Sequence, residues 1–580
     1  MRELKNLELS RMFDQIARIL KIKGENPFKI RAYEKIALVL ENLPIDIETI
    51  YSQGGLNNIP GVGEGIAKKI EEFLTTGKLE YYEKLKETMP SGVIELLDIS
   101  EVGPKTAKLL YEELGVDSIE KLEKAVRQHQ IKDLPGMGEK SEDNILRGIE
   151  LYKRRKERVL LGTALPLAEE IVESLHQLKE TDKISFAGSL RRKKETIGDI
   201  DILVTSQKPE KIMKTFTSLP QVREILAEGP TKSSVITKDD IHVDVRVVEP
   251  ISFGAALQYF TGSKAHNIKL RELAIKRGLK INEYGVFDSE TGQRIAGEEE
   301  EEVYRILDLA FIPPEIREDR GEIEAAQENR LPRLIEYPQI KGDLHLHSKW
   351  SDGVDTIKQM AEAAKKKGYK YIAITDHSQS LKFAGGLTEE RLKEQIEEIR
   401  KLNRELDDFT VLTGIEVDIK SNGSLDFSDE ILSKLDVVIA AIHSGFKQES
   451  KIITERLVSA IQNKFVSIIA HPTGRLIGYR ESYQVDIDKI MDMAAKTGTI
   501  LEINAYPERL DLNDAYCRMA KDRGAQLAIE TDAHSIDGLE LMNLGVDVAR
   551  RGWLEEKDIV NTLPLDKLLK RLKNRRSIIR

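Results

Sequence analysis

The sequence predicts a multidomain protein with an all-helical front, a mixed α+β middle and a closing distorted (β/α)7 barrel. Three observations carry this expectation. Three Pro-Gly or Gly-Pro turns sit between helical patterns in the first 150 residues. Two alternating strand patterns in the middle carry three aspartates. In the last 240 residues, seven short apolar runs each end in His, Asp, Glu or Asn.

At 580 residues the chain is too long for one core, and three or four domains is the length prior. No apolar stretch reaches the roughly 18 residues of a membrane helix. The opening Met-Arg-Glu-Leu-Lys-Asn-Leu lacks the apolar core of a signal peptide. The single cysteine, Cys517, excludes an internal disulfide framework, fits a reducing cytoplasm and reads as a small buried hydrophobe. A net charge of -10 argues against a nucleic-acid binder, but carboxylates that hold metal ions enter that sum. The five glutamates at 298–302 are expected to form a solvated, self-repelling surface segment.

The three turns resemble one another: Ile-Pro-Gly-Val-Gly-Glu-Gly from residue 59, Ser-Glu-Val-Gly-Pro-Lys from 100 and Leu-Pro-Gly-Met-Gly-Glu from 134. Glycine at such a turn permits positive φ and close approach by another backbone. Each turn opens a helix whose free N–H groups suit a phosphate. Gly61, Gly63, Gly65, Gly103, Gly136 and Gly138 therefore become candidate contacts to a DNA backbone, held without reading bases. Plain helix connections are the bland alternative for any one of them. Lys68 and Lys69 follow the first turn. A lysine near other cations and a helix N-terminus loses its proton more easily and can form a Schiff base, although helix lysines are ordinarily just solvated.

In the middle, Gly188-Ser189 precedes Arg191-Arg192, and Gly198-Asp199-Ile-Asp201 opens a strand. Period-two alternation points Asp199 and Asp201 to one face, and the strand from His242 offers Asp244 with the same alternation. Three carboxylates on adjacent strands suit two Mg²⁺ or Mn²⁺ ions, a pair that stabilises an in-line phosphoryl displacement. The glycine-serine turn and the arginines suit a triphosphate.

With Tyr-Phe-Thr-Gly-Ser-Lys-Ala-His-Asn from residue 259, the chain resembles the family X DNA polymerases, the group containing polymerase beta, over about its first 315 residues. That resemblance implies roles. Asp199, Asp201 and Asp244 would be the catalytic metal triad, with Asp244 nearest the primer hydroxyl. Gly188, Ser189, Arg192 and Gly198 would contact the triphosphate. Tyr259, Phe260 and Gly262 would pack on the sugar, Asn267 would meet the incoming base, and Arg271 the template. Lys69 would be a lyase nucleophile, supported by Tyr33 and Lys29. His242 stands where polymerase beta has an arginine.

The last third gathers His345, His347, Asp352, His377, Glu416, His443, His471, Asp532 and His534 at the ends of strand patterns. Six of the ten histidines are among them. Strand-end placement in a parallel barrel converges such residues on one mouth. Imidazole with carboxylate suits Zn²⁺, Mn²⁺ or Fe, and nine donors imply two or three ions, with Glu416 as the expected bridge. His-Leu-His-Ser, Thr-Asp-His, Gly-Ile-Glu, Ala-His-Pro and Thr-Asp-Ala-His resemble the motifs of the PHP (polymerase and histidinol phosphatase) family. That family implies phosphoester hydrolysis at a trinuclear site. By the resemblance one ion would take His345, His347, Glu416 and Asp532. A second would take Glu416, His443 and His471, and a third Asp352, His377 and His534. Arg475 and Lys447 are candidates for substrate phosphate, with surface charge as the equal alternative.

Both halves together resemble bacterial and archaeal family X polymerases ending in a PHP domain. The implied division is a lyase-like helix-hairpin-helix domain over 1–85 and a fingers-like domain with two further hairpins over 86–155. A nucleotidyltransferase palm over 156–250 and a thumb over 251–315 follow, then a linker over 316–340 and the PHP barrel over 341–580. The implied function is short-gap filling in DNA repair, joined to 3′-5′ exonuclease or abasic-site endonuclease action. Implied partners are gapped or nicked DNA and deoxynucleoside triphosphates, with no membrane, in a monomer of the cytoplasm near the nucleoid. The alternatives are a small-molecule phosphomonoesterase in the barrel and a non-catalytic DNA-binding scaffold.

Overall fold

The computed structural model describes residues 2–41, 47–52, 54–59, 62–99, 102–155, 158–477 and 482–578. Two compact units divide the chain, Met1–Arg158 with Glu318–Arg320, and Val159–Arg317 with Gly321–Arg580.

The first unit is helical among the described residues. Leu9, Phe13, Ile16 and Leu20, spaced three and four apart on helix Arg2–Lys23, face one hydrophobic cluster with Tyr33, Ile36 and Leu40. A second cluster joins Leu96, Leu110, Leu122 and Ile149. The three turns share one hydrogen-bond pattern. Val62 N donates to Ile59 O, Val102 N to Ile99 O and Met137 N to Leu134 O, at 3.0, 3.1 and 3.0 Å. The helix that follows each turn is closed by the carbonyl of Gly63, Gly103 or Gly138. The likeness read from sequence is thus a likeness of backbone.

In the second unit a five-stranded sheet comes first: β1 (Lys183–Phe186), β2 (Ile200–Thr205), β3 (Val222–Glu228), β4 (Lys232–Thr237) and β5 (His242–Val248). Its order is β1-β2-β5-β4-β3, with β2 and β5 parallel. Helices Phe253–Thr261 and Lys264–Lys276 and a three-stranded antiparallel sheet over residues 279–296 form the next lobe. Then come seven parallel strands in sequential order, β6 (Gly342–Leu346), β7 (Tyr371–Ile374), β8 (Thr410–Asp418), β9 (Val437–Ala441), β10 (Ile468–Ile469), β11 (Ile500–Asn504) and β12 (Gln526–Glu530). A bridge from Leu346 to Ala533 brings the last strand end back to the first. The strands are buried on both faces, which is why they read as largely apolar runs, with polar residues such as His345, Glu502 and Asn504 set into them. One hydrophobic cluster runs from Leu161 of helix Leu161–His176 and Ile202 and Val245 of the first sheet into Ile374, Leu501 and Ile529 of the barrel.

Two readings need correction or completion. The 298–302 glutamates are not a free acidic surface: residues 299 and 302 make a capping box on helix Glu300–Ile306. Glu300 itself is buried, taking Arg191 at 2.7 Å and Arg317 at 2.5 Å. A run of like charge can seed a helix N-terminus when its members serve as caps and one meets buried arginines. Residues 316–340 hold helix Glu322–Gln327, and Ile335 N donates to Leu554 O at 2.9 Å. Cys517 is fully buried, as expected.

Candidate active sites

Asp201 on β2 lies opposite Asp244 on β5 in register, and Asp199, just before β2, is exposed. Burial, followed by the charges of Asp199 and Asp244, pushes Asp201 up to about 6. Asp201 and Asp244 face each other across adjacent strands with the charge of Asp199 close by, and carboxylates gathered in this way suit a divalent cation. Asp244 is better supplied: Lys232 Nζ stands 2.8 Å from one oxygen, and His242 Nε2 3.2 Å from the other. Ser234 Oγ donates to the same carboxylate at 2.5 Å. Burial acts to raise its pKa, but these partners win and hold it below the carboxylate range.

Above this pair sits the turn at Gly188. Its φ is +62°, and a Cβ there would lie 2.8 Å from Asp201 Oδ2. Glycine is required both for the backbone and for the closeness of the carboxylate. Ser189 is part-buried beside it, and Gly198 is exposed at the turn before β2. Arg192 donates to the carbonyl of Thr261, one residue before Gly262, whose φ is +72°. Arg191 donates to Thr261 Oγ1 at 2.8 Å, so both arginines tie the turn to the next lobe. Tyr259 and Phe260 meet edge to face, ring centres 5.2 Å apart. Asn267 Nδ2 donates to Tyr259 O at 2.7 Å, and Arg271 Nε donates to Asn267 O at 3.2 Å. The structure therefore gathers Gly188, Ser189, Arg192, Tyr259, Phe260, Gly262 and Asn267 around one region.

At the barrel mouth, Glu416 at the end of β8 is the hub. His377 Nδ1, His471 Nε2 and His443 Nε2 stand 2.7, 3.1 and 3.2 Å from its oxygens. His345 Nε2 and His347 Nε2 approach it at 3.6 and 3.8 Å. His347 Nε2 also lies 3.2 Å from Asp532 Oδ1, while Asp352 lies 3.4 Å from His534 and 3.5 Å from His377. Four sets of donors lie close enough together to share an ion: His347, Asp352, His377 and His534; His345, His347 and Asp532; His377, Glu416 and His443; and His345, Glu502 and Glu530. All nine residues read from sequence come together.

The fit to metal rests on buried donors. His345 Nε2, both ring nitrogens of His347 and Glu416 Oε2 are buried without a hydrogen bond. Orphaned buried polar atoms are costly, and atoms converging on one space suit a cation. Burial, then the neighbouring His377, pushes His347 down to about 3, so the ring is neutral and one of its nitrogens has a lone pair to coordinate.

Behind these donors stand groups the sequence reading did not single out. His345 Nδ1 lies 2.6 Å from Glu502 Oε1, which fixes the ring with Nε2 toward the cluster. Asp418 holds His443 Nδ1 at 3.3 Å, and Asn504 Nδ2 donates to Asp532 Oδ2 at 3.1 Å. Arg509 Nε stands 3.7 Å from the same Asp532 oxygen, a cation at the cluster. The pattern Ile-Leu-Glu-Ile-Asn of β11 carried the signal: polar residues inside an otherwise apolar strand. Arg475, a sequence candidate for substrate phosphate, instead pairs with Glu195 at 2.7 Å.

In the first unit, Lys69 Nζ and Lys29 Nζ lie 5.1 and 5.7 Å from the centre of the Tyr81 ring, on which Tyr33 stacks. Tyr81 escaped the sequence reading because its helix, Glu80–Glu87, lies beyond the turn. A Cβ on Gly63, Gly65, Gly103, Gly136 or Gly138 would meet nothing within 4 Å, so these backbones are open to approach. Gly61 lies outside the described residues.

A helix-hairpin-helix domain model matches residues 4–79 and a SAM-like helix-hairpin-helix tandem matches 93–150. The DNA polymerase beta thumb model matches 256–318 and the PHP domain model 343–506. The chain is 44% identical over 560 residues to the DNA polymerase/3′-5′ exonuclease PolX of Bacillus subtilis (strain 168), covering 96% of this chain and 97% of that protein. It is 29% identical over 231 residues to a probable phosphatase of Thermoanaerobacter sp. (strain X514), covering 38% of this chain and 89% of that protein. A probable phosphatase of Shewanella loihica is 32% identical over 202 residues, 33% of this chain and 77% of that protein.

Proposed function

Because this chain belongs to the PolX family, whose Bacillus subtilis member is a DNA polymerase and 3′-5′ exonuclease, we propose that it fills short gaps in DNA and trims the ends it fills. The observation that carries this reading is the presence, within one compact unit, of two separate donor clusters: Asp199, Asp201 and Asp244, and the set around Glu416. Divalent metal, Mg²⁺ or Mn²⁺ at the aspartates and Zn²⁺, Mn²⁺ or Fe at the barrel, supplies Lewis acidity toward phosphorus when bound.

The protein's own groups do the rest. The backbone at Gly188 and Ser189, with Arg192 and Gly198, receives the triphosphate. Tyr259, Phe260 and Gly262 pack on the sugar, Asn267 meets the base and Arg271 the template. Asp244 faces the primer hydroxyl and helps to deprotonate it, with His242 beside it. In the barrel Glu416 joins the donor sets, and Arg509 balances the negative charge of the scissile phosphate. Gly61, Gly63, Gly65, Gly103, Gly136 and Gly138 hold the DNA backbone. Lys29, kept cationic by its hydrogen bond to Tyr81, suits a 5′ phosphate, and Lys69, over the same Tyr81 ring on which Tyr33 stacks, is the lyase nucleophile, with the adjacent Lys68 as its rival.

The six-part division at 85, 155, 250, 315 and 340, base excision repair in the cytoplasm, action on abasic sites and a monomeric state belong to the same reading. Among the described residues no helix is long and apolar enough to cross a membrane.

A labelled duplex with a one-nucleotide gap tests the proposal. Asp199→Ala removes extension and spares 3′ trimming; His345→Ala does the reverse. Extension by Asp199→Ala at the wild-type rate defeats the polymerase assignment. The probable phosphatases among the relatives motivate a second reading, a barrel acting on small phosphomonoesters. Release of phosphate from such esters with no shortening of DNA ends would favour it.

A further inference from the structure

Among the described residues of the barrel, four large hydrophobic side chains are exposed: Val354, Ile452, Tyr506 and Ile536, at 61, 39, 41 and 40%. Exposed apolar side chains need no explanation when scattered, but three of these four flank the metal-type cluster. Val354 follows Asp352 by two residues and its N–H donates to the carbonyl of His534 at 2.8 Å. Ile536 follows His534 by two residues and its N–H donates to Asp355 at 2.9 Å. Tyr506 stands beyond Asp532: its N–H donates to Asn504 Oδ1 at 3.0 Å, and Asn504 in turn donates to Asp532. Apolar groups therefore stand on two sides of a phosphate-splitting centre, with the Arg509 cation on the tyrosine's side.

The tyrosine's loop is held in place from behind. Arg475 Nε donates to Arg509 O at 2.8 Å and its NH2 to Leu510 O at 2.6 Å. Pro507 fills the space where a Cβ on Gly162 would stand, 2.8 Å from its Cγ. A loop braced this way presents Tyr506 as a rigid platform rather than a mobile flap.

We propose that Tyr506, with Val354 and Ile536, forms an apolar rim that stacks the unpaired bases of a DNA strand end while its phosphodiester lies over the metal-type cluster. This rests on the exonuclease reading above and adds the side chains that would hold the unpaired strand end. Duplex bases are already stacked on one another and offer the rim no free faces. Every base presents a π-face, so stacking on an aromatic side chain tolerates any sequence.

The test follows degradation of a 3′ single strand and of the same strand with its last two nucleotides replaced by abasic tetrahydrofuran residues. Tyr506→Ala is expected to raise KM for the ordinary strand about tenfold with little loss of kcat, and Tyr506→Trp to restore it. Wild type is expected to bind the abasic-ended strand about as weakly as Tyr506→Ala does, and the variant to show no further loss on it. The double change Val354→Ser, Ile536→Ser should act in the same direction. Equal KM for ordinary and abasic ends in wild type would overturn the rim, as would Tyr506→Trp behaving like Tyr506→Ala. Failure of wild type to shorten any 3′ end would overturn the exonuclease reading itself, and the rim with it.

Discussion

Arg475 grips Glu195 with both guanidinium nitrogens, at 2.7 and 3.3 Å, joining the barrel to the segment that links Gly188 to Gly198. The same side chain holds two carbonyls of the loop bearing Tyr506 and Arg509, so one guanidinium supports both candidate sites.

Removing the two partners should therefore have unequal effects. Arg475→Ala strands Glu195 and two carbonyls and is expected to destabilise by about 2–4 kcal/mol. Glu195→Ala leaves the carbonyl bonds in place, and since Glu195 is 39% exposed its loss should cost about 1 kcal/mol or less. Urea denaturation of the two single variants and the double variant measures this; equal costs would contradict the bracing role.

Gly188→Ala should abolish gap filling by at least about 100-fold, because a Cβ would press on Asp201 Oδ2 and the positive φ resists any side chain. Primer extension and 3′ trimming assayed on one preparation separate this from misfolding: trimming should persist.

Glu502→Gln should weaken metal retention in the barrel by about 10- to 100-fold, since the carboxylate fixes the tautomer and orientation of His345. Metal content after dialysis against graded chelator gives the comparison. Retention equal to wild type would show that the ring is oriented by packing alone.

How much of this could be read beforehand depended on whether a residue's role was local. Asp199 and Asp201 declare themselves by period-two spacing, and the nine barrel donors by falling at the ends of apolar runs. Those signals come from backbone geometry, which sequence patterns report directly. Glu300 did not declare itself, because its burial depends on Arg191 and Arg317, more than a hundred residues upstream in one case. Arg475 did not declare its role for the same reason: its partner Glu195 lies 280 residues upstream, in the segment between Gly188 and Gly198. Glu502, Asn504 and Arg509 were visible as polar residues in and after an apolar strand, but their purpose emerges only once β11 stands beside β12.

Glu300 also predicts a response to acid. Burial would raise its pKa, but Arg317 and Arg191 hold it down at about 2, below the ordinary 4.5. A carboxylate depressed in the fold stabilises above its unfolded pKa, and that stabilisation is lost as pH falls from about 4.5 toward 2. Wild type should lose on the order of 3 kcal/mol through this group across that window. Glu300→Gln should be less stable at neutral pH and show a flatter decline in acid. Parallel curves for the two proteins would rule the contribution out.

The aliphatic interior that passes from Ile202 and Val245 into Leu501 and Ile529 has a consequence for anyone wishing to separate the two chemistries. Scissors applied near residue 340 would leave two raw, greasy stumps rather than two enzymes. Each half would be expected to precipitate when expressed alone, and to recover only when the other is supplied in the same cell. Inactivating one centre by a point change in the intact chain is the cleaner route to studying the other.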